Sequence, residues 1–379
     1  MPNFIPLETP IYMTATFLNP LPTGEPSISD RGKDLKYSRE ENPTVRDLER
    51  KLAELDGFAD GLAFNSGMAA ISTLLLSKAR RGVLIGVDAY PTTISLALDL
   101  REMGFRVKLV PVKDIVDAVS REWGLVFVET ITNPMLRVPD LPSLSDRCDE
   151  RGVELAVDNT FASPVLLRPG SLAKYSIQSA TKYLAGHNDV VAGTITSNDL
   201  EDLWEWRRKL GTILDPFRAF LIIRGLQTLE LRVRRHSQTA LEVARFLEGC
   251  DLVDEVRYPG LESHPDHEIA KELFKGMYGG VITFVPRVDP ERMFRHLRVV
   301  RPAPSLGAPT TLISRPVTSA SSLPNSLIRE LGIDERTVRL SVGLEDPGLI
   351  IDDLRRALEL ARTPSQGGSH PLLVGDAHY

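Results

Sequence analysis

Apolar residues along the chain follow two periods that exchange several times. Val45, Leu48, Leu52 and Leu55 recur at helical spacing and predict a helix over 46–55, and Ser66 opens a second helix through Ile71, Leu74 and Leu75. Short runs rich in β-formers follow at Val83–Val87, Val107–Val110, Leu125–Val128, Leu155–Val157, Tyr175–Ile177 and Val191–Thr196. Stretches of helical composition, such as Thr93–Met103 and Leu141–Arg151, lie between several of them. Strands alternating with helices predict a mostly parallel α/β sheet covered on both faces. A long amphipathic stretch, Pro216–Leu247 with an interruption near Gly225, reads as a domain junction. Beyond it, strand candidates Asp254–Pro259, Gly280–Val285 and Thr337–Val342 and helix candidates Pro265–Phe274, Glu291–His296 and Asp346–Arg362 predict a smaller α+β domain. Residues 1–45, rich in Pro, Gly, Ser and charge, read as an extended arm. The expected organisation is therefore an arm (1–45), an α/β domain (46–230), an α+β domain (231–365) and a tail (366–379).

Composition narrows the class. The 379 residues carry 45 Lys and Arg against 51 Asp and Glu, a net charge of −6, which argues against nucleic acid as a partner. Apolar runs such as Leu74–Leu76 fall far short of the roughly 20 residues a membrane span needs, and no secretory leader is visible, so a cytoplasmic location is expected. Two distant cysteines, Cys148 and Cys250, read as reduced thiols.

In open parallel sheets ligands bind beyond the carboxyl ends of the strands. The residues there are Glu129 after Leu125–Val128, Asp158-Asn159-Thr160 after Leu155–Val157, and Ser179-Ala180-Thr181-Lys182 after Tyr175–Ile177. A lysine among hydroxyls with an aspartate on a neighbouring strand end is what pyridoxal phosphate chemistry requires: the lysine bonds the cofactor and the carboxylate pairs with the pyridinium nitrogen. Lys182 and Asp158 are the candidates. The phosphate needs backbone amides at a helix start, and Asn65-Ser66-Gly67-Met68-Ala69-Ala70 offers those of Gly67 and Met68. Neither GxGxxG after a strand nor GxxxxGK[ST] occurs. His264-Pro265-Asp266-His267-Glu268 has a metal-like look but reads as a helix start without a third ligand, so no metal is expected.

Together the motifs resemble the Cys/Met-metabolism (trans-sulfuration) family of pyridoxal phosphate enzymes, which includes cystathionine γ-synthase, the γ- and β-lyases, methionine γ-lyase and the homoserine-ester sulfhydrylases. The resemblance spans nearly the whole chain. It rests on Tyr37-Ser38-Arg39 with Asn42-Pro43-Thr44, Ser66-Gly67-Met68-Ala69-Ala70, Glu129 with Thr132-Asn133-Pro134, and Val157-Asp158-Asn159-Thr160-Phe161-Ala162-Ser163-Pro164. It continues through Ser179-Ala180-Thr181-Lys182-Tyr183-Leu184 with Gly186-His187-Asn188-Asp189, Ser305-Leu306-Gly307, and Val338-Arg339-Leu340-Ser341-Val342-Gly343-Leu344-Glu345.

The resemblance implies fold type I, the aspartate aminotransferase-like fold of pyridoxal phosphate-dependent transferases, and action at the γ-carbon of cystathionine or an O-acylhomoserine. Lys182 would carry the internal aldimine, Asp158 would hold the ring nitrogen, and Tyr90 would stack on the ring and serve in catalysis. Ser179 and Thr181 would join Gly67 and Met68 around the phosphate, and Arg339, with Asn133 and Ser305, would hold the substrate. Tyr37 and Arg39 would reach the phosphate of a neighbouring subunit, giving a site shared in a dimer and a homotetramer built from dimers. Two positions depart from the family pattern. Pro91 follows Tyr90 where relatives usually carry glycine, and Thr310 stands where synthases and γ-lyases often place a glutamate that reads the distal ammonium of cystathionine. That second departure keeps an O-acylhomoserine sulfhydrylase or a methionine γ-lyase open as alternatives. An aminotransferase and a cofactor-binding relative without turnover are the remaining readings.

Overall fold

The computed structural model describes residues 5–18 and 36–362. The tail 366–379 and much of the arm lie outside the described residues. Twelve strands among the described residues form two sheets. The first contains β1 (Asp60–Phe64), β2 (Val83–Gly86), β3 (Val107–Val110), β4 (Leu125–Glu129), β5 (Glu154–Asp158), β6 (Tyr175–Gln178) and β7 (Gly193–Ser197), in the order β1-β7-β6-β5-β4-β2-β3. β7 runs antiparallel to both of its neighbours, and the others share one direction. Every residue of β2, β4, β6 and β7 is buried, the signature of a sheet covered on both faces.

The order reverses at β2, with β3 on one side and β4 on the other. The chain segments leaving β2 and β4 therefore diverge at their carboxyl ends, which opens the crevice where open α/β sheets bind ligands. Tyr90 follows β2 and Glu129 ends β4 at that crevice.

The second sheet contains β8 (Val253–Arg257), β9 (Val281–Pro286), β10 (Arg301–Pro302), β11 (Leu312–Ser314) and β12 (Val338–Ser341), ordered β10-β11-β12-β9-β8 and antiparallel except for β10 with β11. The helices Leu229–Glu248 and Pro347–Arg362 pack on each other, and the former also packs on β8 and β9.

The first helix begins at Pro43, earlier than the periodicity indicates. Asn42 caps it by accepting from the Thr44 amide, and Pro43 occupies the first turn, where its missing N–H is not needed. β1, β10 and β11 had no counterpart in the periodicity. β1 opens with Asp60-Gly61, poor β-formers, and is held by pairing along its whole length with β7. The helical stretch after Pro216 breaks at Gln227-Thr228 into Pro216–Leu226 and Leu229–Glu248. Gly225 lies inside the first of these and serves close packing: a Cβ there would come within 2.4 Å of the Ala185 carbonyl oxygen and 2.6 Å of that of Leu184.

Candidate active site

Three neighbouring strands deliver the polar groups. Glu129 and Asp158 end β4 and β5 in direct register, and Lys182 stands four residues beyond the end of β6. Asp158 is buried and accepts from the Thr160 amide (3.0 Å) and the Thr160 hydroxyl (2.5 Å), both at Oδ1. That same hydroxyl accepts from the Ser179 amide at 2.8 Å, so Thr160 links the Asp158 strand end to the loop carrying Lys182. Burial raises the Asp158 pKa. Glu129 is pushed up further, by burial and then by repulsion from Asp158, while it accepts from the amides of Tyr90 (2.6 Å) and Asn133 (3.1 Å).

Lys182 Nζ donates to Ser305 Oγ at 3.0 Å. The carbonyl of Ser305 accepts from Arg339 at 3.3 Å, and the other guanidinium nitrogen of Arg339 donates to Asn133 Oδ1 at 3.0 Å. Lysine, serine, arginine and asparagine from four distant segments thus form one connected cluster. Ser305 holds φ at 108°, a left-handed conformation rarely taken by residues with side chains. Two residues on, a Cβ at Gly307 would come within 2.8 Å of the Tyr183 nitrogen, so this loop presses directly on the Lys182 loop. Burial, followed by the charge of Arg339, pulls the Lys182 amine down to about 8. Burial likewise lowers Arg339, to about 10, against the opposing influence of Tyr90 and Tyr183.

The helix Gly67–Lys78 starts beside this cluster, with Ser66 as its N-cap. Ser66 satisfies the amides of Ala69 and Ala70 through its hydroxyl and its carbonyl, and among the described residues the amides of Gly67 and Met68 find no acceptor. A Cβ at Gly67 would sit 3.1 Å from Ser179 Cβ and 3.3 Å from Ser179 Oγ. The glycine leaves a small cradle between two amides and a hydroxyl, the donor set an anionic phosphate takes. Thr181 borders the same loop, but its hydroxyl donates to the Ala192 carbonyl and accepts from the Ala192 amide. Tyr90, 39% exposed, borders the crevice. Pro91 is the first residue of the helix Pro91–Glu102, a position that accommodates proline, so it leaves the Tyr90 main chain in place on Glu129.

Tyr37 and Arg39 stand apart from this cluster in the chain. Both are exposed, the Arg39 guanidinium lies 5.5 Å from the Tyr37 ring centre, and it donates to the Arg208 carbonyl at 3.0 Å. Thr310 is exposed, and the nearby Glu345 carboxylate is taken up by the amide and hydroxyl of Thr311, each at 2.7 Å. In the His264–Glu268 segment, Asp266 accepts from Nε and one terminal nitrogen of Arg137, and His267 bonds the Pro259 carbonyl. Among the described residues no group of three or more His, Cys, Asp or Glu could hold a metal, and no helix is long and apolar enough to cross a membrane. Glu129 and Thr160 are the supporting residues that sequence motifs quoted without a role. Their strand-end positions were the available signal.

The residues present fit pyridoxal phosphate: a largely buried amine of lowered pKa, a buried carboxylate whose Oδ2 is left to meet a ring nitrogen, and a glycine-lined cradle of amides. Sheet and site together define a pyridoxal phosphate-dependent enzyme of fold type I. Residues 3–359 match the family described as Cys/Met metabolism PLP-dependent enzyme, and the chain belongs to it. It is 38% identical to a cystathionine beta-lyase of Lactococcus lactis over 93% of this chain and 94% of that one. It is 37% identical to a cystathionine gamma-synthase of Mycobacterium tuberculosis, covering 93% and 92% of the two chains. The crystal structure of cystathionine gamma-lyase from Lactobacillus plantarum complexed with L-serine matches with a TM-score of 0.87 at 31% identity, covering 93% of each chain.

Proposed function

We propose that this chain is a trans-sulfuration enzyme acting at the γ-carbon of cystathionine or an O-acylhomoserine, of the cystathionine γ-synthase or γ-lyase type, with Lys182 as its cofactor-bonding and proton-moving residue. The observation that carries the proposal is the state of Lys182. Its amine is bonded to a hydroxyl and its pKa falls to about 8, so a large fraction is neutral near pH 8. An amine bonded to a hydroxyl instead of a carboxylate could take the proton of the substrate α-carbon, give that proton up, and as a neutral amine again take one from the β-carbon, the second removal being the one γ-chemistry needs and β-elimination does not. When bound, pyridoxal phosphate supplies an electron-accepting ring that stabilises negative charge at the substrate α-carbon.

The chain's own residues bind and orient. Arg339, backed by Asn133 and Ser305, offers its fork to the substrate carboxylate. Asp158 holds the proton on the ring nitrogen. Gly67, Met68, Ser179 and Thr181 receive the phosphate, Thr181 by turning its hydroxyl from Ala192. Tyr90 covers the ring and lies close enough to Arg339 to interact with it electrostatically, which keeps its hydroxyl beside the reacting groups as a proton donor to the leaving group. Tyr37 and Arg39 would complete the phosphate site of a second subunit in a homotetramer built from dimers, a reading that their exposure on their own chain supports. The metabolic role of the relatives supports a cytoplasmic setting.

One observation favours a second reading. The loop around Thr310 offers no free carboxylate, because Glu345 is spent on Thr311. A distal ammonium would meet there only a carboxylate whose two oxygens are already engaged, which favours an O-acylhomoserine sulfhydrylase or a methionine γ-lyase. Product identification separates these readings. Cofactor-loaded protein is incubated with cystathionine alone, with an O-acylhomoserine plus sulfide or cysteine, and with methionine, using Lys182→Ala as the blank. Cysteine, 2-oxobutyrate and ammonia from cystathionine, or a thiol-replacement product from the ester, supports γ-chemistry. Homocysteine, pyruvate and ammonia would overturn it in favour of β-elimination.

A further inference from the structure

The loop that carries Lys182 is held from two sides. On one side the backbone of Ser305–Gly307 presses against Lys182 and Tyr183. On the other stands Arg232, from the helix Leu229–Glu248, only 5% exposed. Its guanidinium donates from Nε to Thr228 Oγ1 (3.0 Å), from one terminal nitrogen to the Tyr183 carbonyl (2.8 Å) and from the other to the Gly225 carbonyl (2.7 Å). All three acceptors are neutral, and among the described residues no carboxylate pairs with it. A buried cation without a counter-ion is costly and persists where its hydrogen bonds hold something in place. Here the Gly225 carbonyl belongs to the last turn of the helix Pro216–Leu226, whose negative end favours the charge.

What Arg232 holds is the main chain just past Lys182. The Tyr183 carbonyl is the first one beyond the lysine residue, and the Lys182 carbonyl accepts from the Gly186 amide at 2.8 Å, closing the loop into a tight turn. Gly186, at φ 73°, lies against the guanidinium, and a Cβ there would fall 2.0 Å from its terminal nitrogen. The close approach of Gly225 to the carbonyls of Leu184 and Ala185 completes the wall. A merely structural arginine at a helix break would bond Thr228 and Gly225. The bond to Tyr183 and the bare contact with Gly186 tie that break to the lysine.

We infer that Arg232 is a positioning residue for Lys182: its guanidinium fastens the turn 182–186 to the end of the helix Pro216–Leu226, so that Nζ is presented to the cofactor from a fixed backbone. The inference rests on the reading of Lys182 as the cofactor-bonding lysine. The test uses Arg232→Lys, which keeps the charge but has one nitrogen where three acceptors must be spanned, and Thr228→Val, a near-isosteric change at an exposed position that removes one of the three acceptors. Cofactor-free full-length protein is mixed with pyridoxal phosphate, bonded cofactor is trapped with borohydride at timed intervals, and the labelled peptide is quantified by mass spectrometry. Thermal unfolding is followed in parallel. The pH midpoint of the visible absorbance of bound cofactor is the readout that a purely structural role would leave unmoved. The expected result is at least a tenfold slower labelling of Lys182 in Arg232→Lys, a shifted midpoint, and a two- to fivefold slowing in Thr228→Val with unfolding temperature close to wild type. A folded Arg232→Lys that labels at the wild-type rate with an unmoved midpoint would overturn the inference. If Arg232→Lys does not fold, Thr228→Val decides on the same measurements, and wild-type rate and midpoint in that variant overturn the inference. Label appearing in the wild type on a lysine other than Lys182 would sink the underlying functional reading instead, whatever the variants do.

Discussion

Removing the charge of Arg339 separates the two causes that hold the Lys182 amine near neutrality. Burial and Arg339, in that order, bring Lys182 from 10.5 to about 8. A shift of that size corresponds to roughly 3 kcal/mol of preference for the neutral form, at about 1.4 kcal/mol per unit. At pH 8 it raises the neutral fraction from roughly 0.3% to about half, a gain on the order of 100-fold in reactive amine. In Arg339→Gln the burial remains and the smaller, coulombic part is lost. The Lys182 midpoint should then move upward, and a rise of about one pH unit would lower its reactivity at pH 8 roughly fivefold. Competitive labelling of cofactor-free protein with acetic anhydride between pH 6 and 11, read peptide by peptide, measures that midpoint directly. If Arg339 holds the substrate carboxylate as proposed, kcat/KM of the loaded variant should also fall by about 10²–10³, with KM rising more than kcat falls. A wild-type Lys182 titrating at 10 or above would refute the electrostatic account. So would an Arg339→Gln variant whose midpoint stays where it was.

Two further perturbations probe the supports of the site. Glu129→Ala strands the amides of Tyr90 and Asn133, at about 1–3 kcal/mol for each buried donor, so steady-state kcat/KM should drop by about 10–100-fold while Glu129→Gln, which keeps an acceptor, loses far less. Asp56, buried at the end of the helix Pro43–Asp56, bonds Gln178 and Thr196, and burial outweighs these bonds to raise its pKa from 3.8 to about 6. A carboxyl raised on folding contributes stability that is complete below 3.8 and is lost as pH climbs through about 6, here roughly 3 kcal/mol. Denaturant unfolding of wild type and Asp56→Asn at pH 4 and pH 7.5 should therefore differ in pH response by about that amount, with the variant gaining relative stability at the higher pH. Identical pH responses would show that Asp56 is not a buried, reluctantly ionised carboxyl.

Asp158 and Lys182 were legible because a run of apolar residues that stops abruptly at a polar one marks a strand end, and in a parallel sheet those ends share an edge. Gly67 was legible for a related reason, since a small residue behind a capping serine opens a helix with free amides. What holds these groups in position was not legible. Ser305 meets Lys182 across 123 positions of sequence, and Arg339 meets Asn133 across 206, distances over which local pattern carries no information. Register hides more: β1 pairs with β7, which the chain reaches only after five intervening strands, and no periodicity in Asp60–Phe64 announces it. Gly225 shows how a local rule misleads. A glycine in a helical run suggests a break, yet it sits within a helix because two carbonyls of the Lys182 loop leave no space for a side chain. Arg232, one of several arginines on an amphipathic helix, had no feature to distinguish it from its solvated neighbours, because what sets it apart is burial with no counter-ion among the described residues, a property of the space around it. The polar groups of this candidate site are thus carried by short motifs, and the geometry that lowers the Lys182 pKa is carried by residues that meet it from distant parts of the chain.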